Sequence, residues 1–340
     1  MMEAKRALPV PGPAEAGPVT APMDHPRWPW RFALGALLFA IPLFAFGGIV
    51  TTIGAGMAVQ GWLNAEGHFL PLFPIDLWLR DFATFVEHTH RQFGMLVGLC
   101  AVAGVVASHL GRVGRVALVM SWVTLGAVCF QGFLGGQRVV LVSSELAFVH
   151  GGVAQLVFAV LGLHMAVQGR TWRARAEQRS AERAAVPVVA AAIAVAFVYG
   201  QIWLGAWYRH GLRGTGLDVT ARLHLHLGFA VAAALAVGVL AVRLRRVGGR
   251  VGNEPLSDLA RTRARRLEVL LGLQVCLGFA AWLSRGAEGV TVLETVSAVG
   301  HVLVGAGLLA SCVVALAWCL RWRSVEPSRA AGDPGSARFP

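Results

Sequence analysis

The chain is 340 residues long, 56% hydrophobic and only 14% charged, with a mean hydropathy of +0.62. Soluble domains carry about 25% charged residues, so composition excludes an ordinary soluble fold. The formal charge of +12 does not point to nucleic acid, because the basic residues cluster in short segments between apolar runs, where they act as topogenic charge.

Residues 1–31 are rich in Pro, Ala and Gly and have no apolar run followed by a cleavage site. They read as a disordered cytoplasmic tail rather than a targeting segment. Crossing the hydrocarbon core takes roughly 20 apolar residues, and eight stretches qualify: 32–53, 83–107, 116–135, 146–168, 186–207, 221–242, 266–284 and 294–320. The predicted fold class is therefore all-α: a polytopic membrane protein with eight transmembrane helices. They form two pseudo-repeated four-helix bundles, 32–168 and 186–320. A cytoplasmic linker (169–185) joins the bundles, and a cytoplasmic tail (321–340) follows them.

An even span count puts both termini on one side of the bilayer. Taking that side as the cytoplasm assigns 23 of the 30 Lys and Arg to inner segments, among them Arg112, Arg115, Arg170 and the run from Arg243 to Arg266, and leaves seven outside. That asymmetry predicts a bacterial inner-membrane protein with both termini cytoplasmic. The longest outer segment, Gly54 to Phe82, carries Trp62, Pro71, Pro74 and Trp78 and reads as a loop packed at the membrane interface. All five cysteines fall in apolar runs and none forms Cys-x-x-Cys, so each reads as a buried small hydrophobe.

The two halves resemble each other. Gln131-Gly-Phe-Leu-Gly135 in span three has counterparts in Gln274-Val-Cys-Leu-Gly278 of span seven and Gln201-Ile-Trp-Leu-Gly205 of span five. His90 is followed by Gly94 and Gly104, and His224 by Gly228 and Gly238 at the same offsets. His150 and His301 occupy spans four and eight. A four-helix unit has been duplicated, which predicts two pseudo-equivalent sites.

Histidine inside a bilayer is costly, and it is a common iron ligand. His90, His150, His224 or His226, and His301 lie in the outer halves of the four even-numbered spans. Two imidazoles from neighbouring helices can clamp one iron, which predicts one heme per half near the outer surface. His224 and His226 are two residues apart and cannot face the same heme. The glycine offsets favour His224, and both stay open. Glu87 shares a helix face with His90; it reads either as an acid/base group beside a heme or as half of a surface ion pair with Arg91. His88 points away from His90 and reads as an interface residue. His164, fourteen residues after His150, would permit hemes stacked across the membrane, but the other spans offer it few inner partners.

These features together resemble the heme A synthase family. The resemblance rests on Glu87-His-Thr-His90-Arg91, on Gln131-Gly-Phe-Leu-Gly-Gly-Gln-Arg138 before His150-Gly-Gly-Val-Ala-Gln155, on Gln201-Ile-Trp-Leu-Gly-Ala-Trp-Tyr-Arg209-His210, and on the even-span histidines. It covers residues 32–320. It implies oxidation of the C8 methyl of heme O to a formyl group. His90 and His150 would flank heme O as substrate, and Glu87 would be the catalytic carboxylate. His224 (or His226) and His301 would bind heme b as a cofactor. The lipid bilayer would take up the farnesyl tail of the substrate, and a heme O synthase and a terminal oxidase would be natural partners, with no nucleic acid. The chain departs from many members in lacking an outer-loop cysteine pair, and Ala221 and Leu225 stand in span six where Glu87 and Arg91 stand in span two. Two other readings fit the same pattern: a non-catalytic diheme b-type electron carrier, and a transporter built on the repeat.

Overall fold

The structure, a computed structural model, describes residues 27–174, 187–211, 217–250, 254–285 and 290–323. The described residues form ten α-helices: α1 (Trp28–Ile53), α2 (Ile75–Trp78), α3 (Phe82–Leu110), α4 (Arg115–Val140), α5 (Ser144–Gln168), α6 (Arg170–Ala174), α7 (Val188–Gly211), α8 (Leu217–Arg250), α9 (Glu254–Leu283) and α10 (Val292–Arg323). Eight of them are long and apolar enough to cross a membrane: all except the short α2 and α6. The chain is thus a helical, multi-pass membrane protein. Most of both predicted tails, and the linker from 175 to 185, lie outside the described residues. The linker residues nearest α5 continue as α6.

The helices run past the apolar limits read from sequence, most of all at the basic end. There α8 continues to Arg250 and α9 begins at Glu254, where the sequence predicts spans ending at 242 and starting at 266. Backbone hydrogen bonding does not stop where the hydrocarbon stops. Polar contacts support the extension: Arg245 on α8 pairs with Glu268 on α9, and Arg261 donates to Gly248 O at 2.9 Å.

Each spanning helix packs against the next, and the two halves meet through α5 and α10, the two most enclosed spans. The main core joins Ala36 and Ala40 of α1, Phe158 and Leu161 of α5, Ala194 and Val198 of α7, Leu240 and Leu244 of α8, and Ala306 and Leu309 of α10. Small side chains dominate this seam, which allows close backbone approach; a Cβ on Gly162 of α5 would sit 3.2 Å from Ala310 Cβ. Cys312 and Cys319 are buried in the seam as expected, whereas Cys129 and Cys276 are exposed on the outside of their helices. The buried reading is corrected for that pair: a sulfhydryl facing lipid leaves no polar group stranded.

The segment between α1 and α3 is a folded cap. Gly54 ends α1 in the left-handed conformation (φ 75°), its N–H bonded to Val50 O. A two-residue hairpin then pairs β1 (Asn64–Ala65) with β2 (His68–Phe69), turning through Glu66 and Gly67 at φ 49° and 86°. Both turn residues have positive φ, as a tight type I′ turn requires. A 3₁₀ turn (Leu70–Leu72) and α2 lead back to α3, which Asp81 caps through its carboxylate accepting from Thr84 N at 2.8 Å.

Candidate functional site

Four imidazoles sit on glycines. The helices α3, α5, α8 and α10 all start from the end of the bundle opposite the N-terminus, and each carries its histidine two to three turns in. Each ring lies against a glycine of the preceding spanning helix. A Cβ on Gly47 would be 2.7 Å from His90 Cε1, and a Cβ on Gly135, Gly205 or Gly278 would be 2.9 Å from Cε1 of His150, His226 or His301 respectively. Any side chain there would collide with the ring. The Gln-x-x-x-Gly pattern follows from this seat: residues four apart share a helix face, so the glutamine flanks the same imidazole that the glycine admits.

The polar grip has two forms. His90 Nδ1 donates to Leu43 O at 2.9 Å, and His301 Nδ1 donates to Gln274 O at 3.0 Å. A carbonyl can only accept, so the proton sits on Nδ1 and Nε2 carries the lone pair; in His301 that lone pair faces the Gln274 amide, Nε2 to Nε2 at 3.2 Å. At the other two positions the amide does the work. Gln131 Nε2 donates to His150 O at 2.9 Å and lies 3.1 Å from His150 Nδ1; Gln201 Nε2 donates to His226 O at 3.0 Å and lies 3.0 Å from His226 Nδ1.

The C-terminal pair is resolved between the two sequence alternatives. His226 and His301 face one another with ring centroids 6.5 Å apart and planes at 75°, while His224 is exposed on another face of α8. The glycine offsets that favoured His224 in the repeat are corrected: Gly228 and Gly238 have no side chain crowding them, and register is set instead by Gly205 on α7. Tyr208 stacks on His226 with centroids 6.2 Å apart, and Arg285 bonds to the Tyr208 hydroxyl. Arg209 reaches from α7 to Gly48 O (2.7 Å) and Thr52 Oγ1 (2.6 Å) on α1.

In the N-terminal half, His90 and His150 sit against Gly47 and Gly135, and Arg138, three residues after Gly135, reaches Gly56 O of the cap. Glu87 is 1% exposed, so its pair with Arg91 is buried rather than at the surface. Its Oε1 accepts from Arg91 at 2.8 Å and its Oε2 from Val59 N at 2.9 Å. Arg91 also donates to Val59 O (2.6 Å) and Gly61 O (2.7 Å). The cap is thereby tied to α3 beside His90. His88 is fully buried, stacked on Phe73 at 4.4 Å and close to Gln92 Nε2 at 2.6 Å. The interface reading is corrected because the cap covers the face of α3 opposite His90. His164 belongs to a separate buried cluster near the basic end with Ser121 Oγ at 3.1 Å and Gln168, and it meets none of the other four rings.

Heme ligation takes two axial nitrogens. Metal–imidazole bonds of about 2 Å on each side, with the rings' own size, put two clamping ring centres roughly 6.4 Å apart, close to the His226–His301 spacing. Gln131, Gln201 and Gln274 each keep a buried Oε1 with no hydrogen-bond partner, a cost of about 1–3 kcal/mol each that calls for an explanation. Sequence reasoning passed over Arg138, Arg285 and Tyr208 as site residues, and it saw the repeated glycines without recognising them as seats. The chain matches no family model and no curated protein.

Two expectations follow. Gly278→Ala forces His301 off its seat and should destabilise the protein by about 1–3 kcal/mol as overpacking does, whereas Gly272→Ala on the same helix, with nothing within 4 Å, should not; thermal unfolding in detergent compares them. In the cap, the two-point bond from Arg80 holds the Glu66 carboxyl below its ordinary value, and the Thr84 N–H does the same for Asp81. A depressed carboxylate stabilises above its unfolded pKa and loses that contribution as pH falls through the folded one. Proteolysis of the cap should therefore quicken below about pH 4, and Arg80→Gln should remove the Glu66 share of that acid step while the Thr84-held Asp81 share remains.

Proposed function

We propose that this chain is a heme-binding oxidoreductase of the inner membrane, of the heme A synthase type, oxidising the C8 methyl of heme O to a formyl group. The observation that carries the reading is the facing His226–His301 pair, 6.5 Å apart, seated by a glycine device that recurs at all four histidines. In this proposal His226 and His301 are the axial ligands of heme b, and His90 and His150 hold heme O as substrate. Bound heme supplies the redox chemistry that an unactivated methyl group demands. The chain's own residues do the rest. Arg138 and Arg285 bring positive charge beside the two sites for the carboxylates of a porphyrin. The cap packs Trp62 on Gly136 of α4, the residue after the Gly135 seat of His150. Glu87, one turn before His90 on α3, is the carboxylate that would exchange a proton there. The excess of Lys and Arg at the other end puts both termini in the cytoplasm, and a heme O synthase and a terminal oxidase remain the natural partners.

The second reading, a non-catalytic diheme b-type carrier, is favoured by one observation: both oxygens of Glu87 are already engaged, by Arg91 and Val59 N. A structural carboxylate needs no other role.

Pyridine hemochrome analysis of cells expressing the chain with a heme O source separates the two. The enzyme reading expects heme A from the wild type, a loss of 100-fold or more in Glu87→Gln, in the range of a lost acid/base group, and retained heme b in that variant. Heme b without any heme A in the wild type supports the carrier. Among the C-terminal variants, His226→Ala and His301→Ala should lose the Soret band of the heme b site, and His224→Ala should keep it. A wild type with no Soret absorbance contradicts both readings.

A further inference from the structure

We propose that a groove at the basic end of the bundle is a binding site for an anionic phospholipid. The groove encloses about 410 Å³ and lies between α1 and α9, with α5 and α10 as its floor. Its α1 wall runs from Trp30 to Ile41, eleven residues or about 16 Å of helix. That is half of a hydrocarbon core about 30 Å thick, the depth of one leaflet. The floor includes Gly307, where a Cβ would meet nothing nearer than Leu270 at 3.9 Å, so an acyl chain can lie close to backbone. Ser311 in the floor directs its hydroxyl to Gly307 O at 2.8 Å and asks nothing polar of an occupant.

The mouth has the opposite character. Arg263 and Arg266 line it, one turn apart on α9, and Arg263 is held over the Trp318 ring at 5.2 Å. Glu268, two residues from Arg266 on α9, is committed to Arg245 of α8. An apolar slot one leaflet deep beneath two guanidinium groups matches a diacyl lipid with an anionic head, since basic pockets between membrane helices select such head groups. The proposal requires only that the chain sits in a bilayer, and it is independent of the heme reading.

The test uses the full chain purified in detergent, with apparent affinity for dioleoyl phosphatidylglycerol and dioleoyl phosphatidylcholine read by native mass spectrometry and thermal shift. Phosphatidylglycerol is expected to bind preferentially. Each arginine contributes about fivefold, so Arg263→Gln/Arg266→Gln should weaken phosphatidylglycerol roughly 30-fold and leave phosphatidylcholine unchanged. Gly307→Leu, which fills the slot, should weaken both lipids. Equal binding of the two lipids, or a phosphatidylglycerol preference that survives the double arginine substitution, overturns the proposal. Full competition by glycerol 1-phosphate alone would also overturn it, by reducing the site to one for free phosphate. So would an isoprenoid quinone that co-purifies with the wild type and is lost from Gly307→Leu.

Discussion

The architecture depends on one steric fact: an imidazole ring can sit against a membrane helix where that helix has no Cβ. Four times in this chain a glycine on one span takes the ring of the next span's histidine at a distance no side chain would allow. The contact fixes the rotation of both helices about their axes, because any other rotation would meet a side chain. It also places the ring nitrogen within reach of the facing backbone or a glutamine amide, which satisfies the imidazole where water is scarce. Packing and polar satisfaction are thus met by the same few atoms.

Duplication gives the device its consequence. Because α5 and α10 lie at the centre of the joined halves, each half brings two seated histidines from its even spans to the same end of the bundle. The halves then diverge in what surrounds the rings. The C-terminal pair is braced by Tyr208 and Arg285. In the N-terminal half a cap covers the face of α3 opposite His90 and is anchored to that helix through Glu87 and Arg91.

Much of this was legible in the sequence, for physical reasons. Eight apolar runs, their basic flanks and the recurrent Gln-x-x-x-Gly are all local patterns that the bilayer imposes. What escaped was pairwise. The choice between His224 and His226 turns on which ring meets Gly205, a contact between α7 and α8 that glycine spacing within span six cannot reveal. The first span carries Leu43 where the others carry glutamine, so its kinship was invisible; there the ring bonds a backbone carbonyl, which any residue supplies. His88 read as an interface residue, and its full burial was not foreseen, because the cap that buries it is a loop of mixed polarity, folded by a hairpin and by long-range bonds from Arg91 that no periodicity encodes. The ion pair of Glu87 was foreseen from its spacing, but its burial was not.

The central claim is that His226 and His301 grip a heme iron between them. It is tested most directly by a cryo-electron microscopy map of the full chain purified from heme-replete cells. The account predicts flat, metal-centred density between those two rings, with Gly205 and Gly278 behind them. Side chains of the two histidines packed directly together, or a porphyrin held by His224 instead, would contradict it.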